Sequence, residues 1–471
     1  MAIESINPAT EEVEARFDEQ TPAQVEAALA AAADAYRAWS RTSFDERGAL
    51  FRRAAAELRK GKAHYAGLMT AEMGKPIVEA EAEIEKCAWG CEFYADHAAG
   101  FLADERIDTN AKLSYVAFQP LGVVLAVMPW NFPFWQVFRA GAPAMMAGNT
   151  CVLKHASNVP RCALAVEEVF RAAGFPDGVF RTLLVSARTV DGIIADDRIR
   201  AVTLTGSDVA GREVAAAAGR ALKKTVLELG GSDPFIVLDD ADLDAAAETA
   251  ARARFQNTGQ SCIAAKRFLV QDGVATDFEE RFRAAVGRLR VGDPRERETQ
   301  VGPMARGDLR EALEQQLRAS VEQGARVLTG GTRLEGRGYY FAPTIVTDVR
   351  EAMPVMREET FGPLAAVYRV RDDAEAVQVA NASRFGLGAS IFTRDDERGQ
   401  RLGRQIESGL VFINGMVASD PRVPFGGVKD SGYGRELSTF GIREFVNIKT
   451  VWISDAGGVA PSQVTTQTVG E

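Results

Sequence analysis

The sequence predicts an α/β protein with a doubly wound parallel sheet followed by a second α/β unit. Five short apolar runs between residues 121 and 231 alternate with helical stretches, which is typical of buried parallel strands. The alternation resumes after Gly231 with an apolar run, a helix over Asp242–Phe255 and a second apolar run. Before these elements, the Ala-rich segment from Thr21 to about Phe101 has the apolar period of helices.

Each predicted element has its own signal. Thr21 and Ser43 are cap residues before the first two helices. The runs of the first sheet are LGVVLAVM, TCVLK, FRTLLV, RAVTLTG and KTVLELGG. The alternating segments RIDTNAKLSYVAFQP and FVNIKTVWIS predict two exposed strands, which pair with each other or with the sheet of a neighbouring subunit. Residues 457–471 are small and polar, so we expect a poorly ordered tail.

Composition narrows the function classes. The 471 residues are 46% hydrophobic and 25% charged, as in globular proteins, and suffice for two or three domains of roughly 100–200 residues. The net charge of −10 comes without a clustered Lys/Arg stripe, which argues against a nucleic-acid partner. Because no apolar run reaches about 18 residues and the N-terminal segment is acidic, we expect no membrane association and a cytoplasmic location.

The five cysteines are Cys87, Cys91, Cys151, Cys162 and Cys262. An odd, dispersed set in a long chain does not indicate a disulfide framework. The chain has only three histidines, and none completes a ligand cluster, so we expect no metal site. Cys262 differs from the others because small and polar residues surround it in FQNTGQSCIAAKRF. It is either a structural thiol or a nucleophile.

Polar residues follow the predicted strands of the first sheet, where open α/β sheets bind ligands. They are Trp130, Asn131, Lys154, Ser157, Gly206, Ser207 and Glu228. Each has a structural alternative: a rigid turn for Trp130 and Asn131, a surface position for Lys154, a helix cap for Gly206 and Ser207, and a buried pair for Glu228. Together they supply an oxyanion donor, a phosphate site and a base beside a possible nucleophile.

Five motifs in this order, PWNFP, LELGGSDP, FQNTGQSC, EETFGP and PFGGVKDSGYGRE, resemble those of the NAD(P)-dependent aldehyde dehydrogenases. The resemblance covers the chain except its C-terminal tail. It implies a Rossmann-like cofactor domain at 1–104 and 121–230, and a catalytic domain at 231–444. It also implies an oligomerisation arm at 105–120 and 445–456, and a homodimer or homotetramer.

The resemblance also implies a role for each motif residue. Cys262 is the nucleophile, Asn131 stabilises the oxyanion together with the Cys262 N–H, and Glu228 activates water for deacylation. Glu359, which would otherwise be interpreted as a solvated surface charge, holds the nicotinamide ribose, and Phe361 lies against the nicotinamide. The remaining cofactor contacts are Trp130, Lys154, Gly206 and Ser207.

Two further positions bear on the choice of cofactor and substrate. Ser157 stands where many NAD-preferring members have a glutamate, so the repulsion of a 2′-phosphate is absent and we expect NADP, with NAD possible. The segments KHASNVP and GQSCIAAKRF most resemble those of the short bacterial succinate-semialdehyde dehydrogenases, which implies that Arg139 and Ser419 bind a substrate carboxylate. Gln256 departs from this pattern, because some members have a second arginine there. Without the resemblance, Arg139 would be interpreted as a helix-surface charge.

The sequence leaves rival functions open. Another aldehyde, such as glutarate semialdehyde or an aliphatic aldehyde, is one alternative substrate. A dehydrogenase that transfers the acyl group to coenzyme A is disfavoured by Glu228 as a ready base for water. A nucleotide-independent cysteine hydrolase leaves Lys154 and Glu359 unexplained, and a non-catalytic protein has no need of Cys262, Glu228 and Asn131 together.

Overall fold

The computed structural model describes residues 2–454, in which twenty strands and fifteen α-helices follow one another. The predicted tail at 457–471 lies outside the described residues. The strands are β1 (Ala2–Asn7), β2 (Glu12–Asp18), β3 (Glu105–Arg106), β4 (Leu113–Pro120), β5 (Val123–Met128), β6 (Thr150–His155), β7 (Phe180–Leu183), β8 (Ile199–Thr205), β9 (Lys224–Glu228), β10 (Asp233–Val237), β11 (Ala265–Gln271), β12 (Arg326–Thr329), β13 (Thr344–Thr347), β14 (Leu364–Val370), β15 (Phe385–Gly386), β16 (Ser390–Phe392), β17 (Phe412–Ile413), β18 (Val428–Lys429), β19 (Gly432–Tyr433) and β20 (Val446–Ile453).

The helices are α1 (Pro22–Trp39), α2 (Phe44–Lys60), α3 (Lys62–Met73), α4 (Ile77–Phe101), α5 (Trp135–Met146), α6 (Pro160–Ala172), α7 (Val190–Ala195), α8 (Asp208–Arg220), α9 (Leu243–Phe255), α10 (Asp272–Gly287), α11 (Gly307–Glu322), α12 (Pro354–Arg357), α13 (Asp373–Asn381), α14 (Asp396–Gly403) and α15 (Ser438–Ile442). Across residues 2–454, no helix combines the length and the apolar character that a membrane span requires.

The helical prediction for the N-terminal segment is confirmed by α1 to α4. Thr21 and Ser43 each cap a helix through a capping box, in which the hydroxyl accepts an N–H of the first turn. The hairpin of β1 and β2 was not predicted. Its buried face carries little more than Ile3 and Ser5, so the polar and apolar alternation that marks a strand is weak there.

The first large sheet has the strand order β19-β9-β8-β5-β6-β7, and β5 to β9 are parallel. All five predicted strands are present, which confirms the doubly wound α/β class. The chain runs outward from β5 through β6 and β7, then crosses to β8 on the other side of β5. The order therefore reverses between β5 and β8, and ligands bind at the carboxyl side of such a reversal.

The second large sheet has the order β12-β13-β14-β11-β10-β16-β17. Its strands β10 and β11 are the two apolar runs predicted after Gly231, and α9 between them starts after the cap Asp242, as predicted. This sheet has its own buried apolar clusters on both faces. The loop from α9 to β11 carries Cys262.

A third sheet has the order β20-β4-β3 and contains the two alternating segments. β20 pairs antiparallel with β4 over their full length, from Val446 opposite Pro120 to Ile453 opposite Leu113. The sequence left open whether the two segments pair with each other or with a neighbouring subunit. Within this chain they pair with each other. Ile448 and Trp452 of this sheet are exposed. The boundaries between domains stay predictions.

Candidate active site

The candidate residues of the first sheet lie along one edge because their strands end together. In the sheet register, Met128 of β5 is opposite His155 of β6, and Thr205 of β8 is opposite Glu228 of β9. Asn131 follows β5, Lys154 lies near the end of β6, and Gly206 follows β8. The structure thus brings these predicted residues to the carboxyl edge, on both sides of the reversal.

The loop that carries Cys262 begins with an unusual backbone. Asn257, Thr258 and Gly259 all have left-handed φ angles of 54°, 56° and 72°. A β-branched residue such as Thr258 rarely adopts this conformation, and the strain is on the order of 1–3 kcal/mol for each non-glycine residue. At Gly259 a Cβ would lie 2.4 Å from the carbonyl oxygen of Gly362. Only glycine fits at that position.

Lys266 of β11 fixes the backbone beside the nucleophile. Its amine donates to the carbonyl oxygens of Ser261 at 2.9 Å and Cys262 at 2.8 Å. It also forms an ion pair with Glu359 at 3.3 Å. Because the carbonyl of Cys262 is tied to the lysine, the orientation of the Cys262 backbone is set by a buried side chain.

Asn131 is held on three sides. Its side-chain N–H₂ donates to the carbonyl oxygen of Gln260 at 3.0 Å, and its Oδ1 accepts from Gln136 Nε2 at 3.0 Å. Its backbone carbonyl accepts from Asn257 Nδ2 at 2.8 Å. An amide nitrogen has two hydrogens, so one remains for an oxyanion. The amide is thus oriented by the loop that carries the nucleophile.

Cys262 is partly buried, whereas the other four cysteines are fully buried. It lines a pocket of about 150 Å³ together with residues of α4, α5 and the loop at Met416–Ser419. Burial raises the pKa of the Cys262 thiol to about 12, although the charges of Arg139 and Lys266 act to lower it. The thiol is therefore neutral at rest and has to lose its proton before attack.

Glu228 is buried at the end of β9, and neither of its carboxylate oxygens has a hydrogen-bond partner within residues 2–454. Burial raises its pKa well above the usual carboxyl range. The charge of Glu436 raises it further, and Arg139 and Arg435 partly offset this effect. The side chain approaches Gly426, where a Cβ would lie 2.7 Å from Oε1. Glu228 lies beside the Cys262 pocket rather than in its wall.

Three elements fit the phosphates and adenosine of a dinucleotide. The Lys154 amine, in a largely buried side chain, makes no hydrogen bond or ion pair to any residue of the described chain, so it is free for a ligand. Ser207 caps α8 by accepting the Ala210 N–H at 3.3 Å, and the first turn of α8 offers further N–H groups to an anion. Ser157 is exposed near the same edge.

Glu359 and Phe361 reach the Cys262 region from the loop before β14. Glu359 is partly buried and accepts the Gly231 N–H at 3.0 Å, so a solvated surface charge does not describe it. At Gly230 a Cβ would lie 2.3 Å from Glu359 Oε2, which explains the glycine there. Phe361 packs edge-on against Trp130, with ring centroids 5.7 Å apart. The structure thus brings Glu359 and Phe361 close to Gly231, Trp130 and the Cys262 loop.

Arg139 lies in the pocket wall, and its environment differs from a helix surface. Its side chain is 3% exposed and forms an ion pair with the equally buried Glu436. It also donates to Thr205 Oγ1 at 3.0 Å and lies over the Phe425 ring, 4.6 Å from the centroid. Burial acts to lower its pKa, but the negative charges of Glu436 and Glu228 outweigh this and raise it. The surface-charge interpretation is wrong.

The other two predicted substrate residues also lie in the pocket wall. Gln256 is the first residue after α9, and Ser419 lies in the loop after β17. Ser419 Oγ accepts from Trp135 Nε1 at 3.0 Å and from the Lys86 amine at 2.7 Å.

Sequence analysis missed Lys86 and Glu79, which both reach the pocket from α4. Glu79 accepts the Asn257 N–H at 2.7 Å, and burial raises its pKa to about 7. Burial together with the charge of Arg139 lowers the pKa of Lys86 to about 8. Neither residue lies in a motif or at a strand end. The sequence predicts α4 from its helical period, but this period does not indicate which residues of α4 face the pocket.

Within residues 2–454, no group of three or more His, Cys, Asp or Glu side chains is arranged to hold a metal ion.

Comparison with known proteins agrees with this geometry. The sequence pattern of the aldehyde dehydrogenase family matches residues 1–451. A probable succinate-semialdehyde dehydrogenase [NADP(+)] of Synechocystis sp. is 53% identical over 96% of this chain and 100% of its own length. Succinate-semialdehyde dehydrogenase [NADP(+)] 1 of Mycobacterium tuberculosis is 51% identical over the same shares.

Among solved structures, the succinic semialdehyde dehydrogenase of Streptococcus pyogenes, in complex with NADP+, superimposes with a TM-score of 0.94. It is 39% identical and covers 96% of this chain and 100% of its own. The match to the family extends over nearly all of the chain and includes the thiol, the amide and both large sheets. The protein therefore belongs to the aldehyde dehydrogenase family.

Proposed function

We propose that the protein oxidises succinate semialdehyde to succinate and reduces NADP+. The observation that carries this proposal is the Cys262 pocket, whose wall holds a nucleophile together with the ammonium group of Lys86. A neutral aldehyde has no use for this charge, whereas an aldehyde with a distal carboxylate does. The relatives from Synechocystis and Mycobacterium tuberculosis carry the same activity in their names.

The first half of the reaction rests on Cys262 and Asn131. The ionised sulfur of Cys262 adds to the aldehyde carbon, and a C–S bond forms while the carbonyl oxygen becomes an oxyanion. The free N–H of the Asn131 amide and the Cys262 N–H stabilise that oxyanion. Glu359 and Phe361 would hold the nicotinamide of NADP+, which would supply the hydride acceptor for this carbon, and the acyl group would then remain on Cys262 as a thioester.

The second half rests on Glu228. In its ionised form the carboxylate takes a proton from water, and the resulting hydroxide attacks the thioester carbon. The C–S bond breaks, succinate leaves, and Cys262 recovers its proton. The first half begins with the loss of the Cys262 proton, and the second half needs the ionised Glu228 carboxylate, whose pKa is raised by burial. Turnover is therefore expected to increase with pH.

We propose cofactor residues from both large sheets. At the carboxyl edge of the first sheet, Lys154 and Ser157 would hold the adenosine ribose and its 2′-phosphate, and Gly206 and Ser207 would hold the pyrophosphate. From the loop before β14, Glu359 and Phe361 would hold the nicotinamide half, next to Trp130. The exposed hydroxyl of Ser157 supports NADP over NAD because it can donate to the 2′-phosphate and carries no opposing charge.

We also propose a homodimer or homotetramer and a cytoplasmic location. The exposed apolar side chains of the third sheet support assembly, because Ile448 is 62% exposed and Trp452 is 41% exposed in the single chain. The cysteines support a reducing compartment, because all five are free thiols. Sedimentation velocity and cell fractionation test these two points.

A spectrophotometric assay tests the function. Purified protein with succinate semialdehyde is expected to increase the absorbance of reduced nicotinamide, faster with NADP+ than with NAD+. Cys262→Ala should abolish this signal, and Cys162→Ala, which changes a buried thiol remote from the motif, is the matched control. No reduction of either nucleotide with succinate semialdehyde, glutarate semialdehyde or butanal would refute the assignment. Ester cleavage without nucleotide would indicate a hydrolase, and a need for coenzyme A would indicate acyl transfer.

A further inference from the structure

Lys86 differs from Arg139, the other cation that lines the Cys262 pocket within the described chain, in having no carboxylate partner. It is partly buried on α4, and its amine donates to Ser419 Oγ at 2.7 Å. The amine also lies over the Trp135 ring, 4.7 Å from the centroid. No ion pair of Lys86 occurs anywhere in the described chain from residue 2 to residue 454.

The nearest carboxylates are already engaged. Glu83 pairs with Lys75 and accepts the backbone N–H groups of Phe134 and Trp135, each at 2.9 Å. Asp420 pairs with Arg422. A partly buried ammonium without a counter-charge is costly, and binding of an anion in the pocket would compensate it.

Of the three predicted substrate residues, Arg139 and Gln256 are less suited to this task than Ser419. Arg139 is neutralised by Glu436 and is further fixed by Thr205 and the Phe425 ring. Gln256 carries no charge. Lys86 is therefore the one uncompensated cation among the described residues that line the pocket.

Ser419 completes an anion site beside this amine. Its oxygen accepts two hydrogen bonds, from Lys86 Nζ and from Trp135 Nε1. A hydroxyl has one hydrogen and two lone pairs, so both lone pairs are used and the hydrogen remains to be donated. The hydroxyl is thus arranged as a donor, and a carboxylate accepts from it and from the Lys86 ammonium together.

We infer that Lys86 and Ser419 bind the distal carboxylate of the substrate and that Arg139 remains paired with Glu436. Lys86 is then the specificity-determining cation of this enzyme. The inference rests on the proposed function, because it assumes a substrate with a carboxylate at the end opposite the aldehyde.

The test compares a charged and an uncharged aldehyde of equal chain length, succinate semialdehyde and butanal. Lys86→Met and Lys86→Gln are expected to raise KM for succinate semialdehyde about 10- to 100-fold, or about 1.4–2.8 kcal/mol at 1.4 kcal/mol per tenfold. KM for butanal should change less than about twofold, because its chain end makes no charge-assisted bond. Lys86→Arg keeps the charge and should recover part of the loss. The matched control is Lys112→Met, an exposed lysine in the loop before β4.

Three results would overturn the inference: an unchanged KM for succinate semialdehyde in both neutral variants, an equal rise for butanal, or a loss in Lys86→Arg as large as in Lys86→Met. The last two would show that the side chain shapes the pocket without acting through its charge. These failures are separate from a failure of the proposed function, in which the wild-type protein itself would not reduce NADP+ with succinate semialdehyde.

Discussion

The ion pair between Arg139 and Glu436 is buried on both sides, with side chains 3% and 2% exposed. Replacement of Arg139 by Met leaves the Glu436 carboxylate with Thr203 Oγ1, at 3.2 Å, as its remaining hydrogen-bond donor. An uncompensated buried charge costs about 3–5 kcal/mol of unfolding free energy. Glu436→Gln leaves the guanidinium with Thr205 and the Phe425 ring, so we expect a cost in the same range.

The double variant removes both charges, and we expect it to cost at least about 2 kcal/mol less than the sum of the single variants. Urea unfolding followed by tryptophan fluorescence measures the three free energies. Arg52 and Asp96 form a matched exposed pair, with side chains 52% and 54% exposed. Arg52→Met should cost no more than about 1 kcal/mol. If the losses of unfolding free energy in Arg139→Met and Glu436→Gln simply add in the double variant, pairing with Glu436 is not the main role of Arg139.

The same two variants should move the pH dependence of turnover in opposite directions. Burial raises the pKa of Glu228, Glu436 raises it further, and Arg139 lowers it. Arg139→Met should therefore shift the rise of kcat to higher pH, and Glu436→Gln should shift it to lower pH. A merely structural role predicts loss of folded protein without these opposed shifts. A shift of both profiles in one direction would show that neither charge acts on Glu228.

Three further predictions concern single side chains. Glu228→Gln should give a burst of about one reduced cofactor per subunit and then slow turnover, because thioester hydrolysis loses its base; steady turnover from the start, measured by stopped-flow absorbance, would place the base elsewhere. Ser157→Glu should lower kcat/KM for NADP+ by at least about tenfold and favour NAD+, because a carboxylate repels the 2′-phosphate. An unchanged ratio of kcat/KM for the two cofactors would show that the 2′-phosphate does not bind at Ser157. KM for succinate semialdehyde should rise as pH passes about 8, where the Lys86 amine loses its charge, while KM for butanal stays level; parallel profiles would contradict this. The titratable or charged groups that act on this amine are Arg139 of α5, Cys87 and Glu83 of α4, and Asp420 of the loop between β17 and β18.

The sequence predicted the first sheet and its candidate residues for a physical reason. Buried parallel strands are short and nearly all apolar, so their ends are visible in the sequence, and the polar residues that follow lie at one edge. Asn131, Lys154 and Glu228 were found in this way, and the motif of Cys262 added the nucleophile. The placement of Glu228 beside the pocket depends on side-chain packing, which no strand pattern encodes.

Residues that act from helices were harder to predict. Arg139 was correctly placed near the site by resemblance, but its partner Glu436 lies in a distant motif with no local link to α5. Lys86 was missed because the sequence of α4 shows only the usual apolar period of a helix. Which face of α4 contacts the loop with Ser419 depends on how the two halves of the chain pack. The hairpin of β1 and β2 was missed because only Ile3 and Ser5 form its buried face.

Three cations near Cys262 differ in what neutralises them, and this difference divides the chemistry among them. Lys266 is tied to Glu359 and to the carbonyl of Cys262, so its charge is used to fix the nucleophile and the residue assigned to the cofactor. Arg139 is tied to Glu436, so its charge acts on Glu228 through the buried pair. Carboxylates of the chain therefore compensate both cations, and neither attracts a substrate strongly. The charge that remains for the substrate is that of Lys86. The discrimination between succinate semialdehyde and butanal should therefore depend more on Lys86 than on Arg139, which the family resemblance implies.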